Sequence, residues 1–239
     1  MPAHRALLRA VECKLMSRIA LVAPILDVGA GDGHFASVAY DQPIDVALEP
    51  RESDLREALA RPGVYRAGLL ASATQLPFPN GAFNSVVSNC VIEHIPNVDA
   101  TLGEIARVLA PGGAFGTTLP SEHFAEFLLG SRVLGPRYGR FFNRISHHRH
   151  IHPPAWWKAK LEALGLRVVE QQYYFSPRAH RAFDLSHYLS VPNLATRLAT
   201  GKWVLNPAQM KPFEMWLRKY YDEPWPAVGA YQFVRCERV

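Results

Sequence analysis

Short apolar runs and helical stretches alternate along the first half of this chain. Ile25 to Val28, Ile44 to Leu48, Val64 to Leu70, Phe83 to Asn89 and Ala114 to Leu119 are dominated by apolar residues and carry few charges. Runs of this length predict strands, and the near-continuous ones predict strands covered on both faces. Between them, His34 to Tyr40, Arg51 to Ala60 and Val98 to Leu109 read as helices. Pro62-Gly63 closes the second and Pro111-Gly112-Gly113 the third, since proline lacks the amide that a helix needs. Pro77, Pro79, Asn80 and Gly81 make Ala71 to Gly81 a loop. At the start, Leu7, Leu8, Val11, Leu15 and Ile19 recur at helical spacing. Residues 1–23 are therefore expected to hold an amphipathic helix that ends before Pro24 and packs as a lid on the core.

The second half is less regular. Ser121 to Ile145 is apolar and aromatic, and Gly135, Pro136 and Gly139 are expected to break it into short helices. Ala155 to Leu164 predicts a helix closed by Gly165. Leu166 to Phe175 and Gly229 to Arg238 predict two further strands, and Pro177 to Pro226 is an aromatic- and proline-rich stretch of mixed helical pieces. Strands alternating with helices imply the α/β class, a doubly wound, mostly parallel sheet. Seven strands are expected in a single domain over residues 1–239. Residues 24–119 form its core, and residues 120–152 and 177–227 form inserted helical lid segments.

Composition narrows the class without naming a ligand. Hydrophobic residues make up 49% and charged residues 20%, which fits a folded, soluble chain and excludes wholesale disorder. Cys13, Cys90 and Cys236 are scattered, so they give neither a disulfide framework nor a zinc spacing. Cys90 lies in an apolar run and reads as a small core residue. Glu12, Lys14 and Arg18 interrupt any signal-peptide core. No run reaches the roughly 18 apolar residues of a membrane span. A cytoplasmic setting is expected.

The chemistry concentrates after the first strand. Gly29, Gly31 and Gly33 stand at alternate positions in Asp27-Val28-Gly29-Ala30-Gly31-Asp32-Gly33-His34. Glycines at a strand-to-helix turn let a ligand approach the backbone. A dinucleotide turn, G-x-G-x-x-G, would place its third glycine where His34 stands, which disfavours a nicotinamide oxidoreductase. No Lys or Arg sits in the turn and no G-K-[ST] follows, so a phosphate cradle is not indicated. Glu49 ends the second strand, where its carboxylate can accept hydrogen bonds from both hydroxyls of a ribose.

These residues resemble a family. Ile25 to Gly33 resembles the first motif of class I S-adenosylmethionine-dependent methyltransferases, of the small-molecule, methyltransferase-domain-11 type. Leu48-Glu49 resembles the acidic end of that family's second strand. Leu76-Pro77-Phe78-Pro79-Asn80-Gly81-Ala82-Phe83 resembles its L-P-F-x-[DN]-x-x-F-D run, with Asn84 in place of the last Asp. Leu102 to Gly113 resembles its E-x-x-R-V-L-x-P-G-G block. The resemblance implies the Rossmann-like methyltransferase fold and S-adenosylmethionine as cofactor. It gives Gly29, Ala30, Gly31 and Gly33 the methionine part of the cofactor. Asp27 would orient the turn and the amino group, and Glu49 would hold the ribose. Ser72, where relatives carry Asp, Ala73 and Leu76 would border the adenine. Asn89 would face the place of methyl transfer.

The acceptor is left to the rest of the chain. In Val91-Ile92-Glu93-His94-Ile95, His94 follows the fourth strand and is a candidate to touch the reacting group. His148, His150 and His152 alternate, so in an extended segment they share a side. Three such histidines can bind zinc, but a basic acceptor loop or a solvated surface is the preferred reading, with His150 or His152 as a candidate general base. No metal is expected, because Cys90 stands where metal-dependent relatives have an acid. From Arg137 to Arg181 there are nine Lys and Arg against two acids, with five histidines. This suits a small-molecule or envelope-precursor acceptor that is anionic. With Trp203, Trp216 and Trp225 following, it also suits peripheral contact with an anionic membrane surface. Nucleic acid is not expected, since no RNA-binding module is matched. The intact turn and Glu49 favour an enzyme. Ser72 and the want of an obvious base leave a second reading, a cofactor-binding partner or regulatory subunit without turnover. The oligomeric state is not legible.

Overall fold

The apolar runs pair as parallel strands. In a computed structural model, which describes residues 3–189, 196, 199–200 and 211–239, β1 (Ile25–Val28) lies between β2 (Ile44–Glu49) and β4 (Phe83–Asn89), and β3 (Tyr65–Leu70) lies outside β2. β5 (Leu109–Pro120) follows β4, then β7 (Tyr231–Arg238) and β6 (Leu166–Tyr174), giving the order β3-β2-β1-β4-β5-β7-β6. The pairs β1–β2, β2–β3, β1–β4 and β4–β5 are all parallel. The result is the expected seven-stranded, mostly parallel sheet. All four residues of β1 are buried, as a strand at the centre of a doubly wound sheet requires. Sequence order reverses between β1 and β4, and in open α/β sheets ligands bind in the crevice beyond the carboxyl ends of the strands at such a point.

Two compact units divide the chain. One comprises residues 13–121, 147–172 and 232–239, and the other residues 1–12, 122–146 and 173–231. In the first, Leu26, Val28, Val86, Ile105, Phe115 and Trp157 belong to one buried cluster. α2 (His34–Ala39), α3 (Glu52–Leu59), α4 (Val98–Val108) and α7 (Pro154–Glu162) accompany the strands. The histidine-rich segment 147–152 belongs to this unit and not to the preceding helical insertion.

Two details depart from the sequence reading, and a third accounts for Asn84. Pro111-Gly112-Gly113 ends the helix as expected, but the strand begins earlier, at Leu109, and carries these residues as a bulge. Phe83 pairs with Leu109, and Ser85 already with Ala114. Gly113 tolerates no side chain, because a Cβ would meet Ala110 O at 2.8 Å and Asn84 O at 3.0 Å. The Asn84 amide donates to Ala23 O at 2.6 Å, a bond that a carboxylate could not make. Cys90 is only half-buried and has a left-handed backbone, φ 50°, so it is not a core residue.

The second unit contains α5 (Leu129–Leu134), α6 (Pro136–Ile145), α8 (Pro177–Leu189) and α9 (Lys211–Tyr221). Its aromatic content builds a core of its own. His180 is fully buried, donates from Nε2 to Phe124 O at 2.9 Å and stacks on Phe183. Asp184 is buried and accepts from Gly130 N at 2.8 Å and Tyr138 Oη at 2.7 Å. Gly135, at φ 79°, separates α5 from α6. Gly139 does not break the helix. It lies inside α6, where a Cβ would come within 2.9 Å of Ala125 and Ser131. Trp203 lies outside the described residues.

Candidate active site

The glycine turn leaves β1 with three left-handed residues, Gly29 at φ 80°, Gly31 at 56° and Gly33 at 72°. Each demands glycine for conformation, but their surroundings differ. A Cβ on Gly29 would strike Val91 at 2.5 Å, and one on Gly33 would meet Ala58 Cα at 2.9 Å. A Cβ on Gly31 would meet nothing within 4 Å. The turn is thus packed on both flanks and open in the middle. Gly29 N and Ala30 N donate to Leu48 O at 2.8 and 3.1 Å, fixing the turn to the end of β2.

Glu49 completes the turn. It is 4% exposed, and its two oxygens accept from Gly31 N at 3.0 Å and Arg51 N at 3.1 Å. A carboxylate offers about four lone-pair sites, so two backbone bonds leave capacity for donors from a ligand. Asp27, also buried, accepts from Tyr65 Oη at 2.6 Å. Burial raises its pKa to about 6, with the Glu49 charge adding to the rise and the Tyr65 bond opposing it. Tyr65 is driven far up by burial and by the Asp27 charge, so its hydroxyl stays a donor. Sequence reasoning missed Tyr65. Its only signal was its place at the start of the third strand, and its aim toward Asp27 needs the strand order β3-β2-β1.

On the far side of β1, Asn89 ends β4 and accepts from Thr118 Oγ1 at 2.7 Å through Oδ1. A short 3-10 turn, Ile92–His94, follows. The histidine segment is pinned to it: Arg149 N and His150 N donate to Glu93 O at 2.8 and 3.1 Å. The three alternating histidines do not converge. His150 turns its Nε2 to Ile95 O at 3.0 Å and Pro96 O at 3.3 Å. His152 stacks on Trp156 with ring centroids 3.7 Å apart, and burial, then the His150 and Lys160 charges, lower its pKa. His148 instead meets His94, ring centroids 5.3 Å apart. Burial, then the His94 charge, lowers the His148 pKa to about 3. His94 is held by His147 O, 3.2 Å from its Nδ1. Ser72 is exposed, and its hydroxyl lies 2.8 Å from Thr74 Oγ1. Ala73 and Leu76 are packed into the core cluster with Leu26 and Val28.

Residues 26–117 match a family model described as a methyltransferase domain. This span runs from β1 into β5 and includes the turn, Glu49 and the loop before β4. Over this span the chain carries a methyltransferase domain. It is 34% identical over 175 residues to a demethylmenaquinone methyltransferase of Symbiobacterium thermophilum, covering 69% of this chain and 61% of that protein. It is 29% identical over 174 residues to a malonyl-[acyl-carrier protein] O-methyltransferase of Methylococcus capsulatus, covering 68% and 63%. The chain therefore spans less than two thirds of the length of these relatives. In fold it is similar to a SAM-dependent methyltransferase from Thermotoga maritima, with a TM-score of 0.61 and 17% identity over 99% of this chain and 91% of that one.

In this methyltransferase domain the loop block before β4 and the helix block before β5 are one device. Arg107 and Glu104 form a bidentate pair, Nε–Oε1 2.7 Å and Nη2–Oε2 2.8 Å. Arg107 also donates to Leu76 O at 2.8 Å and Phe78 O at 2.7 Å, while Glu104 Oε2 accepts from Leu76 N at 2.6 Å. The pair therefore closes the loop that carries Ser72, Ala73 and Leu76. The Arg107 hydrogen bond, aided by Leu76 N–H, lowers the Glu104 pKa against its partial burial. Arg107→Ala leaves two carbonyls and a carboxylate without their partner. The expected loss is roughly 2–3 kcal/mol in urea unfolding, since hydrogen bonds to charged groups contribute most at such sites.

Proposed function

We propose that the chain moves the methyl group of S-adenosylmethionine to a small anionic acceptor, a free small molecule or a saccharide- or lipid-linked precursor. The observation that carries this reading is the open middle of the turn. Gly31 faces space that a Cβ would enter, beside a buried Glu49 with accepting capacity to spare. That is a cradle for a nucleoside with a charged tail, and the residues fit the cofactor. When bound, the cofactor supplies a sulfonium whose methyl group has a good leaving group. The chain's residues then need only hold, align and exclude water. Glu49 would take the ribose hydroxyls, Asp27 the cofactor's amino group directly or through water, and the clamped loop the adenine.

Two relatives are named for malonyl-[acyl-carrier protein] and for demethylmenaquinone, acceptors of different chemistry, so their names do not choose one. Charge supports an anion: nine Lys and Arg against two acids from Arg137 to Arg181. We also propose peripheral contact with an anionic lipid surface. No helix among the described residues is long and apolar enough to cross a membrane. On α5 and α6, however, Val133 is 72% and Leu134 69% exposed, beside exposed Phe141, Ile145, Arg132, Arg137, Arg140 and Arg144. Apolar and basic residues exposed together suit the headgroup boundary. Co-sedimentation with phosphatidylglycerol vesicles should exceed that with phosphatidylcholine vesicles, and Arg140→Glu with Arg144→Glu should abolish the difference.

Thermal-shift titration tests the main reading. At a hundredfold excess over Kd, S-adenosylmethionine and its demethylated product should each raise Tm by roughly 5–10 °C. Stabilisation by NAD alone would sink the proposal, and cofactor binding without transfer to a broad acceptor panel would favour the non-catalytic reading. The raised Asp27 pKa adds a pH test. Folding raises the proton affinity there, so stability from this group is present below the ordinary carboxylate value of 3.8 and lost as pH rises through about 6. Cofactor affinity runs the opposite way, because an ammonium needs the ionised carboxylate. Titration calorimetry should find it falling about tenfold per pH unit below pH 6, and Asp27→Asn should flatten that slope.

A further inference from the structure

Glu93, His94 and His148 each direct a donor atom to one place, all within 4.8 Å of one another. They are the one such group among the described residues that converges. Glu93 is buried, and the two histidines are partly exposed. The group stands just beyond the carboxyl end of β4, on the side of the sheet where α/β proteins bind ligands. We propose that these residues bind one divalent transition-metal ion through a carboxylate oxygen and two imidazole nitrogens, leaving open positions for an oxygen of the acceptor.

The hydrogen bonds around His94 argue for a cation. Its Nδ1 lies 3.2 Å from the carbonyl of His147, and a carbonyl only accepts, so Nδ1 carries the hydrogen. In the neutral ring Nε2 then holds a lone pair. That lone pair lies 3.6 Å from Glu93 Oε1, an acceptor facing an acceptor. A proton on Nε2 or a metal ion satisfies such a pair, and His148 brings a third donor atom within 4.8 Å that a metal ion would use. A backbone carbonyl on the remote nitrogen is also the usual outer partner of a metal-binding histidine, fixing its tautomer and orientation. The frame is built: His147 adopts φ 56°, rare for a residue with a Cβ, and the amides of Arg149 and His150, just after His148, are fixed on Glu93 O. A tetrahedral ion with ligands at ~2.1 Å holds them ~3.4 Å apart, so the side chains close by about 1 Å. One carboxylate with two imidazoles suits zinc and its neighbours more than magnesium or calcium.

The use of the ion rests on the methyltransferase reading; its binding does not. A Lewis acid lowers the proton affinity of a hydroxyl that it holds. The acceptor's proton leaves to solvent, its oxygen bonds the methyl carbon, and the electron pair of the broken S–C bond returns to sulfur.

The test uses the full chain stripped of metal by a chelator. Calorimetric titration with zinc chloride should give one equivalent bound, and cobalt(II) chloride should give visible bands of a low-symmetry site. His148→Ala, a change in a partly exposed loop residue, should weaken zinc at least tenfold and remove the bands. A His94→Ala variant should do the same, so the result does not hang on one folded variant. No zinc binding, or equal binding in His148→Ala, overturns the inference. S-adenosylmethionine binding is measured separately on the unmutated chain. Its absence would overturn the methyltransferase reading and leave the metal result standing by itself.

Discussion

Glu49→Ala is expected to lower affinity for S-adenosylmethionine at least a hundredfold and to destabilise the free chain as well. Both effects follow from one side chain with two duties. Its oxygens already bond Gly31 N and Arg51 N, and Glu49 itself is only 4% exposed. Removing them leaves two backbone donors short of partners, which costs about 1–3 kcal/mol for a buried group. The ribose hydroxyls would add two charge-assisted bonds to the same oxygens. Losing both amounts to about 3 kcal/mol, a factor of roughly a hundred in Kd. Glu49→Gln should fall between. Its carbonyl oxygen keeps one backbone donor, while its NH2 group meets the other as donor against donor. Calorimetry reads the affinity and urea unfolding the stability. An alanine variant that binds within threefold of the unmutated chain would remove Glu49 from the cofactor site.

The parts legible in the sequence were those that local chemistry determines. Gly29, Gly31, Gly33 and Glu49 announce themselves because backbone conformation and strand ends are read from neighbours, and β1, β2 and β4 are plain apolar runs. The loop and helix blocks were legible as a resemblance, but their common purpose, Arg107 holding Leu76 and Phe78, appears only when α4 lies beside the loop. Tyr65 was invisible because Asp27 is 38 residues away. The histidine segment misled for a related reason. Alternation puts His148, His150 and His152 on one side only while the chain stays extended, and the left-handed His147 and the bonds of His150 to Ile95 and Pro96 override it. His148 was therefore sorted with its sequence neighbours, whereas its spatial neighbours, Glu93 and His94, lie more than fifty residues earlier.

A pair of alanine substitutions in the turn should separate folding from binding. Gly29→Ala places a Cβ 2.5 Å from Val91 Cγ1 at a φ of 80°. Left-handed backbone costs about 1–2 kcal/mol for a residue with a Cβ, and forcing Val91 aside adds roughly 1–3 kcal/mol. This variant should lose much of its stability, and Val91→Ala in the same chain should restore the packing part but not the conformational part. Gly31→Ala carries the same left-handed cost, at φ 56°, but its methyl group meets nothing within 4 Å. Its unfolding should shift by about 1–2 kcal/mol only, while its cofactor affinity falls by at least tenfold as the methyl group enters the space left for the ligand. Unfolding curves and calorimetry on both variants give the comparison. If Gly31→Ala binds as tightly as the unmutated chain, the open middle of the turn is not where the cofactor lies, and the backbone approach must be sought at another residue.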